Sequence, residues 1–353
     1  MALEFKKAVR KSVPMLVSIS GTSGSGKTYS ALLLAAGIAG PSGKVGLVDT
    51  ENGRGEMYAD SPGIKAALPN GYLYLRFDPP FTPERYVEHL TAAEQAGITV
   101  CIVDSGSHEW EGIGGVSEAA EKAEGKMGRF GKWAGPKMSH KRFVYYCLSS
   151  PMNIIFCLRA RDKVKQFKRG DQIILGPGQE TSDAPVADRD VVVPLGLQAI
   201  CEKNFQFEQL VSLMLDEHTH CAAPVKVPEP LLPLFPGKHL LTKADGERIA
   251  QWNGSGAAQP AGEQLQKRAR AAAEDGTAAY VAFFGALSKA DKNLLVDSSH
   301  AENKAVAARA DGEVPDVESL PDAVELVVGT RMRCKGDLWV VEDSEEGYFW
   351  RKA

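Results

Sequence analysis

No CxxC pair occurs among the six cysteines, and no apolar run reaches the roughly 18–20 residues that a membrane span needs. The first rules out the usual paired-thiol redox or zinc signature, and the second gives no reason to expect a transmembrane helix. Cys101, Cys147 and Cys157 sit in apolar surroundings and read as small core residues in a reducing compartment. Strong charge of one sign is also missing: the net charge is −4, so any nucleic-acid contact must be a local patch rather than the whole surface. The polar, basic start of the chain (Lys6, Lys7, Arg10, Lys11) lacks the apolar stretch of a signal peptide. These absences lead to the expectation of a cytoplasmic protein.

What is present is enough for two or three domains: 353 residues, 44% hydrophobic and 24% charged. The first part alternates apolar runs with helix-period segments. Strands are expected at Met15–Ser20, Val45–Asp49, Tyr72–Phe77, Thr99–Asp104, Asn153–Leu158 and Asp190–Pro194, and helices at Lys27–Ala39, Pro83–Gln95 and Lys137–Ser149. That alternation predicts an α/β fold with a mainly parallel central sheet covered on both faces. A hairpin is expected from Val164–Phe167 to Gln172–Leu175, turning at Arg169-Gly170-Asp171. The Gly/Ser/Ala-rich segment 253–262 reads as a flexible linker. The expected organisation is therefore a nucleotide-binding domain over 1–252, this linker, a helical accessory segment over 263–310 and a small β-rich segment over 311–353. In the helical segment, Tyr280, Phe283, Phe284 and Leu287 fall on one face. In the β-rich segment, strands are expected at Glu325–Val328, Leu338–Glu342 and Tyr348–Arg351, with Trp339, Tyr348, Phe349 and Trp350 packing a hairpin.

The chemistry begins at Gly21-Thr22-Ser23-Gly24-Ser25-Gly26-Lys27-Thr28, which fits G-x-x-x-x-G-K-[ST] between an apolar strand and an apolar helix. Such a loop curls backbone N–H groups around phosphates at a helix N-terminus. Lys27 would neutralise the β- and γ-phosphates, Thr28 would ligate Mg²⁺, and Tyr29 follows at the nucleotide. ATP and Mg²⁺ are the expected cofactors. Asp104, ending the apolar run Val100–Asp104, is the second expected Mg²⁺ contact, with Ser105 beside it. Val45–Asp49 leads to Thr50 and Glu51, and Glu51 is the candidate base for the attacking water. Asp49 reads as structural. Glu109 is a reserve acid, and His218-Thr219-His220-Cys221 lacks a partner cluster for a metal site.

This order of P-loop, strand-Asp-Thr-Glu and strand-Asp-Ser resembles the RecA-like ATPases over roughly Leu16 to Val193, and most of all the phage-encoded AAA/RecA-like ATPases that act with single-strand annealing systems. The resemblance implies Glu51 as catalytic base and Tyr58 against adenine. It also implies DNA-facing loops after the strands ending at Asp104 and Arg159, a homo-oligomeric ring or filament, and a role in recombination on single-stranded DNA. There is one departure. Where the family places a γ-phosphate-sensing glutamine, this chain has Arg159, with Arg161 close behind; either would sense γ-phosphate in cis or reach a neighbouring subunit.

Two basic segments are candidates for DNA. One holds Arg159, Arg161, Lys163, Lys165, Lys168 and Arg169 around Phe167, the last offered as a stacking face. A solvated hairpin and a lid over nucleotide phosphates are its other readings. The second is a long loop expected at Gly112–Pro136, with Lys122, Lys126, Arg129, Lys132 and the adjoining Lys137 around Phe130 and Trp133; a surface or subunit contact is its alternative. Transporter ATPases fit poorly, since Asp-Glu and LSGGQ-type signatures are missing, and GTPases fit poorly for want of N-K-x-D. A nucleotide or small-molecule kinase, and an ATP-switched adaptor whose C-terminal region binds a replication or host-defence protein, remain alternatives.

Overall fold

The computed structural model describes residues 12–173, 185–236, 239–254, 262–287, 289–312, 316–317, 331–334, 337–344 and 347–352. Its centre is a sheet in the order β3-β2-β4-β5-β1-β7-β8. These strands are β1 (Leu16–Gly21), β2 (Val45–Asp49), β3 (Leu73–Arg76), β4 (Val100–Asp104), β5 (Asn153–Phe167), β7 (Val211–Leu215) and β8 (Ala222–Lys226), with β6 (Val191–Ala199) paired to β5 alone. From β3 to β7 every neighbour is parallel; β8 closes the edge antiparallel to β7. Strands β1, β2 and β4 are buried along their whole length, which is why β2 and β4 read as near-continuous apolar runs rather than alternations, while β1 buries Ser18 and Ser20. The expected mainly parallel sheet with flanking helices is what forms.

Helices α1 (Lys27–Ala39) and α8 (Lys243–Gly254) cover one face of the sheet, and α3 (Pro83–Gln95) and α6 (Ala134–Ser149) the other. Short helices α2 (Pro62–Ala67), α4 (Ser107–Glu111) and α7 (Phe205–Glu208) and the longer α5 (Val116–Gly131) fill the connections. Thr82 caps α3 by accepting from the Arg85 N–H at 3.4 Å, and Pro83 occupies the first turn, where its missing N–H costs nothing. The α1–α8 contact is a backbone-to-backbone approach. A Cβ on Gly37 would stand 2.0 Å from the Lys243 carbonyl oxygen, and one on Gly246 2.2 Å from that of Leu34. Cys101, Cys147 and Cys157 are buried core residues as expected, and burial pushes the Cys101 thiol up to about 12.

Four further helices, α9 (Glu263–Glu274), α10 (Thr277–Ala286), α11 (Lys289–Ser298) and α12 (His300–Gly312), form their own core around Ala269, Ala273, Tyr280, Leu295, Val306 and Ala307. Phe283, Phe284 and Leu287 pack against it, so the apolar face expected on α10 is used. Arg268 anchors this bundle to the sheet's helical layer. Its Nη1 lies 2.8 Å from Glu94, both largely buried, and its guanidinium covers the Tyr146 ring at 5.1 Å. The C-terminal strands β9 (Asp316–Val317), β10 (Arg331–Cys334), β11 (Asp337–Ser344) and β12 (Gly347–Lys352) make a separate sheet in the order β12-β11-β10-β9. The expected pairing of Leu338–Glu342 with Tyr348–Arg351 is there as the β11–β12 hairpin. Glu325–Val328, Leu175, the N-terminal basic arm and linker residues 255–261 lie outside the described residues, as do the side chains of Lys126, Arg129, Phe130, Trp339, Tyr348, Phe349 and Trp350.

Two expectations are corrected. The region from Gly112 to Pro136 is not a long loop: α5 and the start of α6 occupy most of it. Val116 and Ala120, one helical turn apart, are buried, and the Glu118 carboxylate accepts the Gly114 N–H at 2.5 Å at the α5 N-terminus. Glycines within the helix lowered its propensity and hid it. The second correction concerns the hairpin partner of Val164–Phe167. A turn does form at Lys168–Asp171, with the Asp171 N–H on the Lys168 carbonyl at 2.9 Å. Gln172, however, bridges to Val186, and the strand paired with Val164–Phe167 is Val191–Ala199. The β-branched run Val191–Val193 suits a ladder better than the local segment after the turn does.

Candidate nucleotide-binding and hydrolysis site

The phosphate loop joins the C-terminal end of β1 to α1. Gly24 and Gly26 hold φ of 84° and 88°, which only glycine adopts without strain, and a Cβ on Gly21 would stand 2.4 Å from the Ser25 hydroxyl oxygen. Ser25 Oγ donates to the Thr22 carbonyl at 2.9 Å, closing the loop on itself. Lys27 Nζ lies across the mouth, donating to the carbonyls of Gly21 at 3.1 Å and Thr22 at 2.7 Å.

Strand register decides what stands beside this loop. Gly21 pairs with Arg159 across β1 and β5, and Asp49 pairs with Asp104 across β2 and β4. Strands β1, β2 and β4 end at one edge, where β5 passes through Arg159, so residues far apart in sequence gather at one crevice. Thr28 Oγ1 donates to Asp104 Oδ2 at 2.5 Å. Asp104 is buried, and that burial pushes its carboxyl up to about 6, against the Thr28 bond and the Lys27 charge, which pull it down. A hydroxyl and a carboxylate converging beside a phosphate cradle are the donor set that Mg²⁺ takes together with phosphate oxygens and water, so Thr28 and Asp104 fit that ion.

Glu51 is mostly buried, with 17% of its side chain exposed. Its Oε1 accepts from Arg159 Nε at 3.0 Å and Nη2 at 2.7 Å, with His108 Nε2 3.9 Å away. Asp49 has a different job. It accepts from the Glu51 N–H at 2.5 Å, the Gly55 N–H at 2.9 Å and the Tyr74 hydroxyl at 3.0 Å, and so shapes the loop that presents Glu51. Tyr58 ends a short 3-10 turn after this loop and lies 6.1 Å, ring to ring, from Tyr29 at the start of α1. The structure thus brings Lys27, Thr28, Glu51, Asp104 and Arg159 together, with Tyr29 and Tyr58 paired nearby.

Glu109 is not available as a reserve acid. It is buried and bonded to His140 Nδ1 at 2.9 Å, and burial raises its carboxyl. The sequence reading also missed the β7–β8 turn. Glu217 Oε2 accepts from the Thr22 hydroxyl at 3.0 Å, and the His220 ring lies 3.6 Å from where a Gly26 Cβ would stand. One of the two histidines that suggested no metal site, His220, therefore lies against the phosphate loop, a placement that only the β1–β7 adjacency reveals.

The basic segments also meet. Because side chains alternate along a strand, Arg159, Arg161, Lys163 and Lys165 share one face of the β5–β6 ribbon, running away from the crevice. Arg161, Lys163, Lys165, Lys168 and Arg169 are exposed. Phe167 is not an open stacking face: only 4% of it is exposed, and Lys165 Nζ lies 4.8 Å from its ring centre. A partly exposed aromatic pair stands nearby: Trp133 is stacked on Trp110 at 5.7 Å and 13°, with Lys132 and Lys137 at 5.9 and 5.6 Å from its ring centre. Glu111, next to Trp110, reaches Arg161 at 3.5 Å and links this cluster to the ribbon. Among the described residues no helix is long and apolar enough to cross a membrane.

Residues 14–216 match a family model described as an AAA domain, more than half of the chain. No curated protein matches the chain. Among solved structures, a KaiC-like protein from the hyperthermophilic archaeon Pyrococcus horikoshii OT3 is similar at 12% identity, over 63% of this chain and 89% of that one, with a TM-score of 0.33. A likeness of that size carries no argument about activity.

Proposed function

The chain belongs to the AAA-domain family, and from that premise we propose that it hydrolyses ATP with Mg²⁺ and uses the turnover on single-stranded DNA, as a phage-type recombination ATPase working as an oligomer. The observation that carries the hydrolysis reading is the convergence of the Thr28–Asp104 contact and the Glu51–Arg159 pair on the phosphate loop. Lys27 would leave the Gly21 and Thr22 carbonyls for the β- and γ-phosphates. Thr28 and Asp104 would hold Mg²⁺, which when bound neutralises charge on the phosphate oxygens. Glu51 would take the proton of the water that attacks the γ-phosphorus as the bond to the ADP oxygen breaks. Arg159, beside Gly21, would move onto the γ-phosphate, and Tyr58 with Tyr29 would face the adenine.

The basic stripe on β5 and the Trp110–Trp133 stack support the DNA part of the reading. Together they offer a charged track for a backbone and an aromatic face for bases, next to the hydrolytic groups. The accessory helices and the C-terminal sheet, over 263–353, would carry a protein partner.

The test is phosphate release from ATP with Mg²⁺, with and without single-stranded DNA, beside Lys27→Ala. Release that DNA stimulates and Lys27→Ala abolishes is expected. Release indifferent to DNA, with transfer of phosphate to a metabolite, would replace this reading by a kinase with the β5–β6 ribbon as its lid. ATP-dependent association with almost no turnover would replace it by a switched adaptor.

A further inference from the structure

His108 lies in α4, just beyond Asp104, and no role in the site has been given to it. Its ring is held on two sides. Phe81 stacks on it at 4.9 Å and 23°, and Nδ1 lies 2.7 Å from Thr50 Oγ1. We assign the tautomer from the Thr50 hydroxyl. Its oxygen accepts the Ser105 N–H at 2.7 Å, and its single proton can go either to the Ser105 carbonyl at 3.3 Å or to His108 Nδ1 at 2.7 Å. The Ser105 carbonyl already accepts from the Tyr86 hydroxyl at 2.8 Å. The shorter contact to Nδ1 takes the proton, so the hydrogen of the neutral ring sits on Nε2. Burial, and then the Arg159 charge, hold the His108 imidazolium below its usual range, which keeps the ring neutral. Its Nε2 lies 3.9 Å from Glu51 Oε1, the same oxygen that Arg159 occupies.

We infer that His108 is a positioning residue for Glu51: it supplies the donor that orients the carboxylate once Arg159 has left it for the γ-phosphate. The inference rests on the hydrolysis reading above. At 3.9 Å the present contact is too long for a hydrogen bond, and a shift of roughly 1 Å by the freed carboxylate makes one. The bond fixes one oxygen of Glu51 and leaves the other to take the proton of water. Without it, Glu51 would lose two donors at the moment it has to be in place. Thr50 and Phe81 hold the ring so that the donor stays aimed.

The test compares wild type, His108→Phe, which keeps the stack on Phe81 and lacks the donor, and His108→Gln, whose amide nitrogen overlays Nε2. ATP affinity is measured alongside phosphate release. Loss of an orienting partner of this kind costs about ten- to a hundredfold, so His108→Phe should lower kcat by that factor with KM for ATP nearly unchanged. His108→Gln should recover most of the loss, and in a Glu51→Gln background His108→Phe should cost nothing further. Wild-type kcat in His108→Phe overturns the inference alone, as does equal loss in His108→Gln or an additive loss on Glu51→Gln. A wild-type chain that binds ATP and releases no phosphate overturns the hydrolysis reading, and this inference with it.

Discussion

Arg159 closes both Nε and Nη2 on a single oxygen of Glu51, at 3.0 and 2.7 Å, although the two residues lie more than a hundred positions apart in sequence. The group proposed to activate water and the group proposed to meet the γ-phosphate thus occupy each other. With 44% of the Arg159 side chain exposed, the pair contributes little to stability, within about 1 kcal/mol for ion pairs of this kind.

The first prediction follows from that imbalance. Arg159→Ala should lower phosphate release by about a thousandfold, the low end for removal of a phosphate-facing arginine, while the unfolding midpoint hardly moves. Arg159→Lys should not recover the rate, because a point charge cannot reproduce the planar fork. Glu51→Gln should retain ATP and lose turnover. Steady-state phosphate release together with thermal denaturation checks all three. A fall in rate that merely tracks a fall in stability would sink the assignment.

Asp104 supplies the second prediction. Burial raises its carboxyl to about 6 from an ordinary 3.8, so the folded chain without Mg²⁺ holds the proton more tightly than the unfolded chain does. Stability from this group is therefore complete below pH 3.8 and is lost as pH rises through about 6. At pH 8 the ionised carboxylate costs roughly 3 kcal/mol by linkage. Asp104→Asn should abolish hydrolysis and raise the unfolding midpoint of the nucleotide-free protein at pH 8, with the gain shrinking toward pH 4. A lower midpoint at pH 8 would mean that Asp104 supports the fold rather than the ion.

Why some of this was legible in the sequence and some was not comes down to reach along the chain. The phosphate loop and the strands ending at Asp49 and Asp104 are local patterns, and an apolar run ending in an acid reads the same before and after folding. The parallel sheet follows from the spacing of such runs. The Glu51–Arg159 contact depends on β5 lying between β4 and β1, and no spacing reveals which strand is inserted where. The β7–β8 turn against the phosphate loop was illegible for the same reason. Phe167 was misjudged because it shares a strand face with Lys165, whose side chain lies over the ring, and a charged neighbourhood in sequence does not show which charged side chain covers an aromatic one.

The basic ribbon makes the third prediction. Lys163→Ala with Lys165→Ala should weaken single-stranded DNA binding, and should reduce the log–log salt slope by about 0.7 for each phosphate no longer neutralised. Val164→Ala, on the opposite face of the same strand, should change neither. Fluorescence anisotropy over a salt series measures both quantities. Equal effects from the two faces would remove the ribbon from the DNA reading.

The fourth prediction separates packing from chemistry around Asp104. Glu109 follows Asp104 by five residues and carries an acid, yet its carboxylate is committed to His140 across the buried α4–α6 contact. His140→Ala leaves that acid buried without its partner, and breaking such a pair typically costs about 3–5 kcal/mol. Glu109→Gln keeps an oxygen for His140 Nδ1 and removes the charge that burial disfavours, so it should cost much less. Neither group reaches the phosphate loop, so Glu109→Gln should turn over ATP at close to the wild-type rate where Glu51→Gln does not. The two glutamines, measured side by side for unfolding midpoint and phosphate release, distinguish the acid that holds the fold from the acid proposed to activate water.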